Sequence, residues 1–212
     1  MLPNRVFEWP EKFKAGDHSD DRYVLDYLKG YPKRNGIPLL FSIVLLNKES
    51  LTFLKENGVN LLQRADDGRT FLGALTPDDH FDLDAYRFLS EEFSRNGAID
   101  WAEEEGITPL SSMIKFGGLD YARILLENGA SIHAFASIAR YGGRRLDIPT
   151  QAIICSADSS GDAEQTSIEA LKLLQEFGYR PSPTEATQLY EESKIQGPRI
   201  AEWISENLLK TP

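Results

Sequence analysis

The residues that could do chemistry are few and widely separated. Three histidines, His18, His80 and His133, stand far apart along the chain, and the single cysteine is Cys155. A zinc site needs three or four Cys, His or carboxylate ligands converging at short, regular spacings, and no pair of these residues has that spacing. Alternating acids can hold calcium, which draws attention to Asp78-Asp79-His80-Phe81-Asp82-Leu83-Asp84. A calcium loop also requires a central glycine and a terminal bidentate glutamate, and neither is present. The run reads instead as a solvated acidic insertion that caps the helix after it. Ser159-Ser160-Gly161-Asp162 lacks the Gly-Lys-Ser/Thr continuation of a phosphate-cradling loop and reads as a plain loop. There is no Gly-x-Ser-x-Gly elbow. The sequence gives no grounds to expect a catalytic site, a cofactor or a metal.

Composition narrows the partners. The chain has 212 residues, a formal net charge of −10 and 41% hydrophobic residues, enough apolar material for one packed unit. An acidic surface repels phosphate backbones and anionic membranes, so neither nucleic acid nor a membrane is an expected partner. A protein with a basic surface is the expected one, because opposite potentials steer encounter. One cysteine excludes an internal disulfide and suits a reducing cytoplasm. Met1-Leu2-Pro3-Asn4-Arg5 opens on no apolar signal segment, and the most apolar run, Ile37 to Leu46, is too short to span a bilayer. The expectation is a cytoplasmic protein, monomeric on its own.

The organisation that must position any surface is a degenerate internal repeat. Gly106-Ile107-Thr108-Pro109-Leu110 is followed by Leu125-Leu126-Glu127-Asn128-Gly129-Ala130, and Ile37-Pro38-Leu39 by Phe53-Leu54-Lys55-Glu56-Asn57-Gly58. In both, the proline precedes the glycine by twenty residues (129 − 109 and 58 − 38). Looser copies run from Thr70-Phe71-Leu72 to Asn96-Gly97, with an insertion near Pro77 to Asp84, and from Ile148-Pro149-Thr150 to Phe177-Gly178, with an insertion at Ala157 to Gln165. Proline suits the first helical turn, where its missing N–H would be unpaired anyway. Thr108 and Thr70 can cap that end. Gly58, Gly97, Gly129 and Gly178 sit where a helix stops in a left-handed residue. Asp67-Gly68 reads as a tight turn between units. Such units cannot bury their own apolar faces and must stack. Arg22 to Leu28 is amphipathic, and residues 184 to 209 read as two helices broken near Gly197-Pro198, with Ile200, Trp203, Ile204 and Leu208 on one face.

Gly106 to Ala130, and more loosely Ile37 to Gly58, resemble ankyrin repeats, and the likeness extends over roughly residues 33 to 180. Where the family usually carries histidine after Thr-Pro-Leu, this chain has Leu40, Gly73, Ser111 and Gln151. The resemblance implies an all-α fold: a solenoid of about four to five helix-turn-helix units, with an N-terminal cap over 1–32, repeats over 33–180 and a C-terminal helical cap over 181–212. It also implies a partner on the concave side, built from inter-unit turns and the first helices. Position by position this gives Asp66, Asp67 and Arg69, then Glu104, Glu105 and Ile107, with Lys115 and Phe116 on the helix. Lys33 and Arg34 flank this set at one end and Arg144 and Arg145 at the other, so the charge runs basic, acidic, acidic, basic. The function expected is a protein–protein interaction module, an immunity protein or inhibitor that neutralises a basic toxin, with a host-directed effector or a cellular adaptor as the alternatives and an enzyme not expected.

Overall fold

Glycines in the left-handed region punctuate the chain and set its helix ends. In the computed structural model Gly58, Gly97, Gly129 and Gly178 have φ of 81°, 65°, 88° and 95°, the conformation that lets a helix stop without a Cβ penalty. The structure describes residues 4–43, 46–75, 81–138, 143–154 and 162–209. Cys155, His80, Asp78, Asp79 and Ser159 to Gly161 lie outside them.

The chain is mostly helical. Two helices come first, α1 (Asn4–Lys14) and α2 (Asp21–Gly30). The strands β1 (Lys33–Arg34) and β2 (Ile37–Pro38), a 3-10 turn (Leu39–Ser42) and α3 (Lys48–Glu56) follow. Next come α4 (Phe71–Ala74) with α5 (Leu83–Arg95), and α6 (Pro109–Lys115) with α7 (Leu119–Glu127). A hairpin of β3 (Phe135–Ile138) and β4 (Arg144–Asp147) leads into α8 (Ile148–Ile154) and α9 (Ala163–Glu176), and α10 (Pro183–Gln196) and α11 (Pro198–Asn207) complete the described chain. The antiparallel hairpins β1–β2 and β3–β4 are additions to the all-helical expectation. The expected insertions are also shorter than the sequence suggests: Leu83-Asp84 and Ala163 to Gln165 are the first turns of α5 and α9.

The caps form as the side-chain chemistry requires. Thr108 Oγ1 accepts the Ser111 N–H at 3.2 Å, Thr70 Oγ1 accepts that of Gly73 at 3.1 Å, and Pro109 occupies the first turn of α6. Asp82 caps α5 through the Ala85 N–H at 2.8 Å, and Asp162, read as loop, caps α9 through the Gln165 N–H at 3.1 Å.

Packing arranges the helices in two rows. The 3-10 turn packs on α4, α4 on α6, α6 on α8 and α8 on α10. Beside that row α3 packs on α5, α5 on α7, α7 on α9 and α9 on α11. Helix α1 packs against α2 and α3. This second row is laced by ion pairs between neighbours: Lys55 with Glu92 at 2.7 Å, Arg87 with Glu127 at 2.5 Å and Arg123 with Glu176 at 2.7 Å. One continuous apolar core, from Val6 and Trp9 through Leu54, Phe93, Leu125 and Leu171 to Ile204, runs the length of the molecule. Burial of this kind, at about 25 cal/mol per Å², supplies the main favourable term of folding. Ser111 and Gln151 are buried and hydrogen-bonded to each other across α6 and α8, and Gln151 Nε2 donates to Leu146 O at 3.0 Å. They stand at the positions where the resembled family carries histidine, and here they tie one helix pair to the next and to β4.

Helix α1 is held by its charges. Asp20, 3% exposed, accepts from Lys12 Nζ at 2.9 Å and from the Arg5 guanidinium, and Trp9 Nε1 donates to Asp21 at 2.8 Å. The Lys12 and Arg5 contacts hold the Asp20 carboxyl below its ordinary range. Among the described residues, no helix is long and apolar enough to cross a membrane.

Candidate partner-binding surface

The turns that precede the first-row helices are joined edge to edge through the backbone. Asp66 N–H donates to Gly36 O at 2.9 Å, Glu104 N–H to Asp67 O at 3.1 Å, and Ser137 N–H to Glu105 O at 2.7 Å. Three successive tips, around Asn35-Gly36, Asp66 to Gly68 and Glu104 to Gly106, together with strand β3 at Ser137, therefore form one continuous row. Arg64 reinforces it, donating to Gly68 O at 3.0 Å and to Ala102 O at 2.7 Å while its guanidinium lies 5.3 Å from the Trp101 ring centroid. Trp101 is half-buried and meets Phe93 edge-on. The tight turn expected at Asp67-Gly68 forms: Asp67 Oδ1 accepts the Arg69 N–H at 3.0 Å and Gly68 has φ of 85°.

The row is less acidic than its sequence. Asp66 pairs with Lys33 at 2.7 Å, and Asp67 pairs with Arg69 at 2.7 Å. Burial pushes the Asp67 carboxyl up, but the Arg69 N–H and guanidinium outweigh it and leave the group below its ordinary range. Glu104 and Glu105 are exposed and have no cation partner among the described residues. Glu103, beside them, is three-quarters buried, with Arg69 Nε 4.0 Å away. Burial raises its carboxyl, Arg69 opposes the shift, and Asp67 and Glu105 add to it.

The structure thus brings together Asp66, Asp67, Arg69, Glu104 and Glu105. Ile107 is adjacent but half-buried, packed on Ala136, Leu146 and Ile154. Lys115 and Phe116 stand at the other end of α6, about 10 Å along its axis at 1.5 Å per residue. Lys115 is nonetheless close enough to lower the Glu103 carboxyl, and its ammonium lies 4.9 Å from the Phe116 ring centroid. Phe116 is 40% exposed. Of the flanking arginines, Arg144 is taken by Glu192 and Arg145 lies over Phe135, 4.1 Å from its centroid.

Glu103 and Arg64 belong to this surface and were not singled out from the sequence. The Glu103-Glu104-Glu105 run signals acid, but which of the three is buried depends on the turn geometry. Among the described residues, no group of three or more His, Cys, Asp or Glu is placed to hold a metal ion. No protein-family model and no curated protein matches this chain.

Proposed function

We propose that the chain is a protein-binding module of degenerate ankyrin type, whose partner docks on the row of hairpin tips through the unpaired carboxylates Glu104 and Glu105. The observation that carries this reading is the backbone bonding of Gly36 to Asp66, Asp67 to Glu104 and Glu105 to Ser137. It supports a preorganised surface, and preorganisation lowers the ordering cost that association must overcome. The helix pairs stacking in two rows, the left-handed glycines and the Thr108-Pro109 cap support the ankyrin assignment. Two free carboxylates in a chain of net charge −10 favour a basic partner. A soluble antagonist or immunity protein acting on a basic toxin is the form we favour.

The pairing pattern selects the test. Reversing Asp66 or Asp67 would break an ion pair within the row, whereas Glu104→Lys/Glu105→Lys changes charge without removing an internal partner. Tagged wild-type chain is expected to retain one basic protein from native lysate that the double variant does not. Equal retention by both chains in moderate salt would refute docking through these carboxylates.

A further inference from the structure

The first tip of the row borders a notch of ≈ 490 Å³ lined by Asn4, Phe7, Arg34, Asn35, Ile37, Leu39 and Ser42. Three of its lining side chains are apolar: Phe7 is 48% and Ile37 39% exposed, while Leu39 is buried. Phe7 and Ile37 are two of the eight large apolar side chains exposed among the described residues, and they share one concavity of the size that takes a side chain or small ligand. Arg34, also in the lining, is exposed and has no carboxylate partner among the described residues, although the chain is acidic overall. By contrast, its neighbour Lys33 is committed to Asp66. Asn35, in the left-handed region at φ 51°, adds an amide at the turn, and Asn4 and Ser42 add polar groups to the lining. The notch is continuous with the row, since Gly36 O in the same turn accepts the Asp66 N–H.

We propose that this notch takes an apolar side chain of the partner protein together with an adjacent Asp or Glu, the side chain on Phe7, Ile37 and Leu39 and the carboxylate on Arg34. The inference rests on the docking reading above and gives the partner a second feature: basic where it faces Glu104 and Glu105, apolar and acidic where it meets the first tip. The open apolar contact supplies affinity, and the single cation sets polarity, because Arg presents a planar fork matched to a carboxylate.

Backbone amide ¹⁵N–¹H shifts of the full chain, titrated with Ac-Gly-Phe-Glu-Gly-NH2, Ac-Gly-Phe-Lys-Gly-NH2 and Ac-Gly-Ala-Glu-Gly-NH2, test this. The Phe-Glu peptide is expected to shift Phe7, Arg34, Asn35 and Ile37. The Lys analogue should bind about fivefold more weakly, the size of one solvent-exposed ion pair. Arg34→Glu should invert that preference, and the Ala analogue should not bind. Equal binding of the Glu and Lys peptides, shifts centred elsewhere, or no binding at millimolar peptide would overturn the proposal. So would a wild-type dimer by sedimentation that Phe7→Ser makes monomeric, because a second copy would then own the notch. Glu104→Lys/Glu105→Lys should leave peptide binding intact, which separates the two ideas. Peptides failing while lysate capture succeeds removes the notch alone; peptides binding while capture finds no partner removes the docking reading.

Discussion

Replacing Gly106 by alanine should loosen the row of tips far more than the same change at a helix end. Gly106 has φ of 79°, and a Cβ built there would lie 2.8 Å from Phe135 O, a backbone atom of β3 that no side-chain rotation can move aside. Gly97 has φ of 65° and nothing within 4 Å of its added Cβ. The left-handed conformation costs an alanine about 1–2 kcal/mol, and about 0.5 kcal/mol returns through the stiffer unfolded chain. Gly97→Ala should therefore destabilise by about 1 kcal/mol, or about 2–4 °C in Tm for a chain of this size. Gly106→Ala carries the same backbone cost, and relief of the overlap must push β3 away from the third tip. That movement breaks the Ser137 N–H bond to Glu105 O, worth about 1 kcal/mol, and opens the packing of Ile107 on Ala136 and Leu146. The expected total is about 3 kcal/mol, the sum of a left-handed alanine, one lost hydrogen bond and partial loss of one buried aliphatic contact. Urea unfolding followed at 222 nm on wild type and both variants measures the difference. Equal midpoints for the two variants would refute the claim that the tips are in tight register.

Two further outcomes follow from the charges. Asp20 is held below its ordinary range by Lys12 and Arg5, so its contribution is present above the unfolded aspartate pKa and fades as pH falls through the depressed one. Wild type should accordingly lose more thermal stability between pH 5 and pH 2 than Asp20→Asn (values spanning the carboxylate range, about 2 to 5), and parallel Tm curves would contradict the clamp on α1. Glu103 has the opposite sign: with its carboxyl raised by burial, the folded state holds the proton longer, and stability declines as pH rises from the ordinary carboxylate value through the raised one. Glu103→Gln should remove that decline and match or exceed wild type at neutral pH, whereas a variant less stable than wild type there would show that Arg69 makes the charged form a net benefit.

Much of the local structure was legible because it rests on backbone chemistry that few residues can supply. Gly58, Gly97, Gly129 and Gly178 mark helix ends, Thr108 and Thr70 mark starts, and Gly197-Pro198 marks the break between α10 and α11. The face of α11 also reads directly, with Ile200, Ile204 and Leu208 buried and Trp203 half-buried against the core. Helix α1 was harder to see, because Pro10, which reads as a helix breaker, sits inside it, while Val6, Trp9 and Pro10 are buried. The β3–β4 hairpin hides for another reason. Phe135-Ala136-Ser137-Ile138 and Arg144-Arg145-Leu146-Asp147 bury only Ala136 and Leu146 among their described side chains, too little alternation to read as strands. The surface was half legible: the turns carry the named acids, but which of them are free is decided by Lys33 and Arg69, at ranges that spacing does not encode.

A partner docked on the tips must cover their backbone. Once a partner has been captured, hydrogen exchange read by mass spectrometry on the free chain and on the complex addresses this without any substitution. The docking reading predicts slowed exchange at residues 34–37, 66–69 and 103–107, with α3, α5 and α7 unchanged. Protection along α3, α5 and α7, with the tips exchanging as freely as before, would contradict it.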